Sequence, residues 1–117
     1  MHEPPLDGIF AALADSTRRA ILARLALGEA SVSELAEPFG LKQPTISKHL
    51  KVLEDAGLIE QARDGQRRPR RLVVGGPLKD VEGWLAPFRD QWERKFDRLE
   101  ALLEKKKQTR STKGTKP

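Results

Sequence analysis

The 117-residue chain has no cysteine, two histidines and 5% aromatic residues. No apolar run reaches the roughly 18 residues that a membrane-crossing helix needs. Each absence excludes something. Without thiols there is no disulfide framework, no thiolate metal site and no thiol redox chemistry. His2 and His49 are scattered, and there is no glycine-rich phosphate loop, nucleophile–base pair or metal triad, so an enzyme is not expected. The N-terminal MHEPPLDG lacks the apolar core of a signal sequence. The expectation is a cytoplasmic protein without a membrane partner.

Charge is what the chain has in quantity, and it is unevenly spread. The net charge is +5, with 22 basic and 17 acidic residues. Six of the basic residues (Lys105, Lys106, Lys107, Arg110, Lys113, Lys116) fall in the last stretch, which has no acid from Lys105 on. The body without them is net −1, so the basic character belongs to the tail. Inside the body, Arg63, Arg67, Arg68, Arg70 and Arg71 crowd one short segment against Asp64. Such clustering says more about a polyanionic partner than the total does.

Residues 1–5 read as a flexible N-terminus, 6–104 as one folded domain and 105–117 as a disordered basic tail, since EKKKQTRSTKGTKP has no apolar periodicity. Leu6, Ile9, Phe10 and Leu13 share one helical face. Asp15 or Ser16 caps a second helix with Ile21, Leu22 and Leu25 inside and Gly28 at its stop. Ser31-Val32-Ser33-Glu34 is a capping box that opens a short third helix ending at Gly40. In the fourth helix Pro44 suits the first turn, Ile46, Leu50 and Leu53 form the buried stripe, and Gly57 ends it. LIEQARD and RRPRRLVV then flank Asp64-Gly65, a hairpin signal, with Pro69 restricting the second strand to an edge or an interruption. A long C-terminal helical region follows Gly75-Gly76-Pro77, with Pro87 expected to break or kink it.

A mostly α chain with one small β-hairpin, its helices followed by a basic hairpin tip, is a winged helix-turn-helix pattern. In such a unit the second helix of the turn lies in the DNA major groove. Its polar side here carries Gln43, Thr45, Ser47, Lys48 and Lys51. Gln pairs with adenine, Ser and Thr adapt to either partner, and Lys reaches guanine or phosphate. Arg63, Arg67, Arg68 and Arg70 of the wing fit phosphates or a narrow minor groove. Arg70 and Arg71, nearest the apolar end of the hairpin, have acids of the body as alternative partners. His49 sits beside the buried stripe and reads as partly buried structure.

LADSTRRAIL (13–22), VSELAEPFGLKQPTISKHLKVLEDAGLI (32–59), DGQRRPRRL (64–72) and WLAPFRDQWERKFDRLEALL (84–103) together resemble the ArsR-type (ArsR/SmtB) winged-helix transcription regulators. The resemblance covers about Leu6 to Leu103. It implies a homodimer that binds double-stranded DNA at an inverted repeat, usually as a repressor, with Gln43, Pro44, Thr45, Ser47 and Lys48 at or near the major groove. It also points away from the metal-sensing branch. Where that branch has the cysteine pair C-V-C-D-L, this chain reads Ser31-Val32-Ser33-Glu34-Leu35, and hydroxyls are poor ligands where a soft thiolate is required. The last helix holds no histidine, and Asp80 and Glu82 read as exposed helix charge. No metal or cofactor is expected, and no effector is named.

Trp84, Phe88, Trp92, Phe96 and Leu99 recur at spacings of four, four, four and three, with Leu85, Leu102 and Leu103 broadening the stripe. A chain this short buries only roughly 60–68% of its unfolded surface, so so wide an aromatic stripe calls for a partner. The expected interface joins the first helix (Leu6, Ile9, Phe10, Leu13) to the last (Trp84, Leu85, Phe88, Trp92, Phe96, Leu99) across a twofold axis. The competing reading is a winged-helix protein-interaction module without specific DNA binding.

Overall fold

The computed structural model describes the backbone of residues 6–115 and side chains to residue 108. The flexible N-terminus expected at 1–5 lies outside the described residues. The elements run α1 (Leu6–Leu13), α2 (Ser16–Leu25), α3 (Val32–Ala36) with a 3-10 turn at Glu37–Phe39, α4 (Gln43–Asp55), β1 (Ile59–Gln61), β2 (Arg70–Leu72) and α5 (Pro77–Thr115). Residues to Glu82 form one compact unit and those from Gly83 a second.

Local chemistry sets the boundaries of the first unit. Asp15 is extended and its carboxylate accepts from the Arg18 backbone N–H, so it, and not Ser16, caps α2. Ser31 and Glu34 complete the capping box of α3. Gly40, at φ 62°, turns the chain out of the 3-10 turn toward α4. Ile21, Leu35, Ile46, Leu50, Leu53 and Leu58 are fully buried together, so α2, α3, α4 and the first strand share one core. Ile9, expected on a dimer surface, is 2% exposed and belongs to this core. An eight-residue helix has to bury something to be held, and Ile9 with Ala12 is the face α1 buries.

The hairpin pairs Ile59 with Leu72, Glu60 with Arg71 and Gln61 with Arg70. Its tip closes through Asp64 and Arg67, whose backbones exchange hydrogen bonds of 3.3 and 3.0 Å. The loop is therefore Gly65-Gln66, one residue on from the dipeptide that signals it. Within the loop, φ is positive at Gly65 and not at Gln66, the pattern of a type II′ turn. Pro69 keeps its carbonyl in the pairing, accepting from the Ala62 N–H at 2.8 Å, and the named strand begins one residue later. On its other edge Arg70 exchanges backbone hydrogen bonds with Ala30, so β2 is not an open edge at that residue.

The C-terminal region is helical where the sequence suggested a break and a disordered tail. Pro87 lies inside α5 without ending it. A proline costs one N–H···O bond, here the one to the Gly83 carbonyl, and the helix runs on through it. The stretch from Lys105 to Thr115, expected to be disordered, continues the helix. Lys, Gln and Arg are good helix formers, and extending a helix that already exists avoids the cost of nucleation. Leu78 and Val81 pack against the core. Farther along, Trp84, Phe88, Trp92, Phe96, Leu99, Leu102 and Leu103 are all exposed.

Candidate nucleic-acid interface

Three buried residues, Ile46, Leu50 and Leu53, fix which way α4 faces. Everything at the complementary angles is turned outward: Gln43, Pro44, Thr45, Ser47, Lys48 and Lys51 are all exposed. The structure thus brings six of the sequence-derived candidates onto the surface of one helix. They are not equivalent. Gln43 Nε2 donates to Ser33 Oγ at 3.1 Å, which ties the start of α4 to α3. Lys51 Nζ reaches Asp55 at 3.2 Å, one turn along the same helix. Lys48 is exposed and makes no polar contact among the described residues.

The wing arginines divide into those that hold the wing and those that stand off it. Arg68 folds back, its Nη1 donating to the Gly65 and Arg67 carbonyls at 3.2 and 2.9 Å. Arg63 and Arg67 are exposed at the tip. Arg70, counted with them from the sequence, belongs to the body: its Nε donates to Glu54 at 2.6 Å, and its side chain is 14% exposed. The reason is register. Gln61 and Arg70 are the cross-strand pair nearest the tip, α4 packs against β1, and Glu54 on that helix supplies the acceptor. Arg71, on the opposite face, pairs with Glu60 at 2.7 Å, which raises its pKa further.

The third helix contributes no ligand set. Ser31 is occupied as the cap of α3, and Ser33 holds Gln43. The cap also holds the Glu34 carboxyl below its ordinary range, chiefly through the Ser31 backbone N–H. An open cleft of about 950 Å³ separates this corner from the wing and mixes Glu29, Glu34 and Asp64 with Arg67 and Arg68. His49 is part-buried, as the sequence implies, against Arg18 and Asp15.

Sequence reasoning missed the contacts that hold α4 in place. Ser33 contacts α4 near its start, Glu54 near the end of α4 is held by Arg70, and Arg18 contacts the middle of the helix. Nothing in the local pattern marks them, because their partners are ten, sixteen and thirty-one residues away. Lys42 was also passed over. It stands at the N-cap of α4 without supplying a capping acceptor, leaving a positive group at the helix's positive end.

Comparison with known proteins gives the same picture. A helix-turn-helix domain family matches residues 13–62. The chain is 47% identical over 70 residues to the HTH-type transcriptional regulator Rv2034 of Mycobacterium tuberculosis; the match takes in 60% of this chain and 65% of that protein, just under two thirds. It is 39% identical over 83 residues to the transcriptional repressor SdpR of Bacillus subtilis, covering 71% of this chain and 91% of that one. Among solved structures, an ArsR family transcriptional regulator superposes with a TM-score of 0.66 at 47% identity, over 77% of this chain and 98% of that one. A homodimeric winged helix-turn-helix DNA-binding domain from Mycobacterium bovis, described as a possible ArsR-family regulator, superposes with a TM-score of 0.59 at 30% identity, over 74% and 80%.

Proposed function

This chain belongs to the ArsR family of winged helix-turn-helix DNA-binding transcriptional regulators, and we propose that it acts as a homodimeric repressor that reads an inverted-repeat operator with α4. The observation that carries this reading is the division of α4: Ile46, Leu50 and Leu53 anchor one side while Pro44, Thr45, Ser47 and Lys48 stand exposed on the other. Hydroxyls, an amide and a lysine along the first half of a helix suit base edges. Arg63 and Arg67 at the wing tip suit phosphates or a minor groove, and Arg68 rigidifies the turn that presents them. Lys51, held by Asp55, and Gln43, held by Ser33, sit at the margins of the reading face.

The dimer rests on the exposed stripe of α5. At the helical repeat, Trp84, Leu85, Phe88, Trp92, Phe96, Leu99, Leu102 and Leu103 fall within an arc of about 120°. Trp84 and Phe88 already pack ring against ring, tilted by 42° with centroids 4.9 Å apart. The stripe also reads nearly the same in both chain directions about residues 93 and 94. A second copy running antiparallel would set Trp84 against Leu103, Leu85 against Leu102 and Phe88 against Leu99, with Trp92 and Phe96 one residue out of that register. From α1, Phe10 remains at the surface with Leu6 and Leu13 half-buried, so these three stand as that helix's candidates for a dimer contact in place of Ile9. Twofold symmetry then presents two copies of α4 roughly 34 Å apart, one turn of DNA.

The experiment is selection of bound duplexes from a random pool, followed by affinity measurements over a range of salt. The expected result is a near-palindromic site bound by two chains, with log affinity falling steeply as log salt rises. Salt-insensitive or absent DNA binding would transfer the case to the protein-interaction reading.

A further inference from the structure

Past Leu13, the LADSTRRAIL stretch has no role in the function proposed above, yet it sets one arginine at the meeting point of three helices. Arg18 lies in the first turn of α2. Its Nε donates to the Ala12 carbonyl at 2.6 Å and its Nη2 to the Ala11 carbonyl at 3.2 Å. These are last-turn carbonyls of α1, the negative end of that helix, where a cation is favoured. The third edge of the guanidinium faces α4: Nη1 is 3.4 Å from Nδ1 of His49. Asp15 Oδ1 lies 4.0 Å from the same ring nitrogen.

We propose that Arg18 and His49 are positioning residues for DNA reading: neutral His49 accepts from Arg18 and fixes the rotation of α4, and protonation of His49 breaks that contact and weakens operator discrimination. The proposal rests on the DNA-binding reading. Its chemistry follows from the donor inventory. A guanidinium only donates and stays charged, so the contact needs a lone pair on Nδ1 and places the ring proton on Nε2. A proton on Nδ1 turns acceptor into donor and sets two cations face to face. The acceptor left within reach is Asp15.

The charged groups facing the ring are Asp15 and Arg18, both from the start of α2, which packs against α4. Through Arg18, α1 presents carbonyls and no charge. On α4 itself, Lys48 is adjacent in sequence and Lys51 is paired with Asp55. The Arg18 backbone N–H, with a smaller contribution from His49, holds the Asp15 carboxyl below its ordinary range, so a carboxylate stands beside the ring. Polar contacts hold α4 at three levels: Gln43–Ser33, His49–Arg18 and Glu54–Arg70. The middle contact contains the imidazole, and it flanks Ser47 and Lys48 on the reading face.

The test uses the full chain, a duplex selected from a random pool at pH 8, and the unselected pool as reference, all at constant ionic strength. From pH 8 to 5.5, where imidazole side chains take up a proton, the affinity ratio between the two DNAs should fall about fivefold, the worth of one hydrogen bond. His49→Gln keeps an acceptor for Arg18 at every pH. It should retain the wild-type ratio at pH 8 and hold it at pH 5.5. His2 is present in both chains, so its titration cancels. A flat wild-type ratio, or a variant that falls in parallel with wild type, overturns the proposal. If the pool yields no preferred duplex, the regulator reading fails, and NMR of the free wild-type protein still decides the positioning contact. There the amide signals of Arg18 and residues 47–50 should move with the His49 ring titration; signals that ignore it overturn the proposal.

Discussion

Arg67 and Arg70 are three residues apart and end in different surroundings. Arg67 stands exposed at the wing tip; Arg70 is closed over by Glu54 at 2.6 Å. The difference separates two kinds of variant. Arg67→Ala should weaken binding to all duplexes alike and flatten the dependence of log affinity on log salt by about one unit per lost phosphate contact. An unchanged slope would remove the wing tip from the interface. Arg70→Ala should instead destabilise the fold by about 1–2 kcal/mol in urea, because Glu54 loses a charge-assisted hydrogen bond in a part-buried place. Lys48→Ala, on the reading face, should lower discrimination between selected and random duplexes with stability unchanged. Equal discrimination before and after the change would misplace Lys48.

At the scale of the element, the helices owe their limits to single side chains. Asp15 and Glu34 both have lowered pKa values because they accept backbone N–H groups at helix starts. A carboxyl lowered in the folded state adds stability above its unfolded pKa and loses it as pH falls through the lowered value. Both caps therefore support the fold at neutral pH and weaken it in acid. Ser31→Ala removes the neutral half of the capping box and should cost about 1 kcal/mol. In α5, Pro87 occupies a position where the helix continues regardless. Pro87→Ala returns a donor to the Gly83 carbonyl and should raise helicity and stability, by up to about 3 kcal/mol. A lower melting temperature would mean that α5 depends on its proline.

For the whole molecule the deciding feature is the stripe on α5, where Phe96 is 68% exposed and both tryptophans are about half exposed. Contiguous aromatic surface of this size marks an interface. Trp92→Asp, near the centre of the proposed antiparallel pair, should shift sedimentation from dimer to monomer. Operator affinity should fall with it, since two linked half-site contacts bind far more tightly than one. Unchanged sedimentation would assign the stripe to another partner. The same change should leave the first unit's melting behaviour largely intact, because its core is built from residues up to Val81.

The sequence by itself determined the helix order, the caps, the hairpin, the buried stripe of α4 and the outward set from Gln43 to Lys51. All of these are written in spacing and in residues that act on neighbours three or four positions away, where backbone geometry fixes who meets whom. It also named the family through motifs that span most of the chain. Tertiary structure decided what depends on distant partners. It put Ile9 inside, since α1 must bury one face to be held. It gave Arg70 to Glu54, because strand register brought it over α4. It carried α5 through Pro87 and on to Thr115, because a helix already formed extends at little cost. And it set His49 against Arg18, thirty-one residues away, a meeting that no local period encodes.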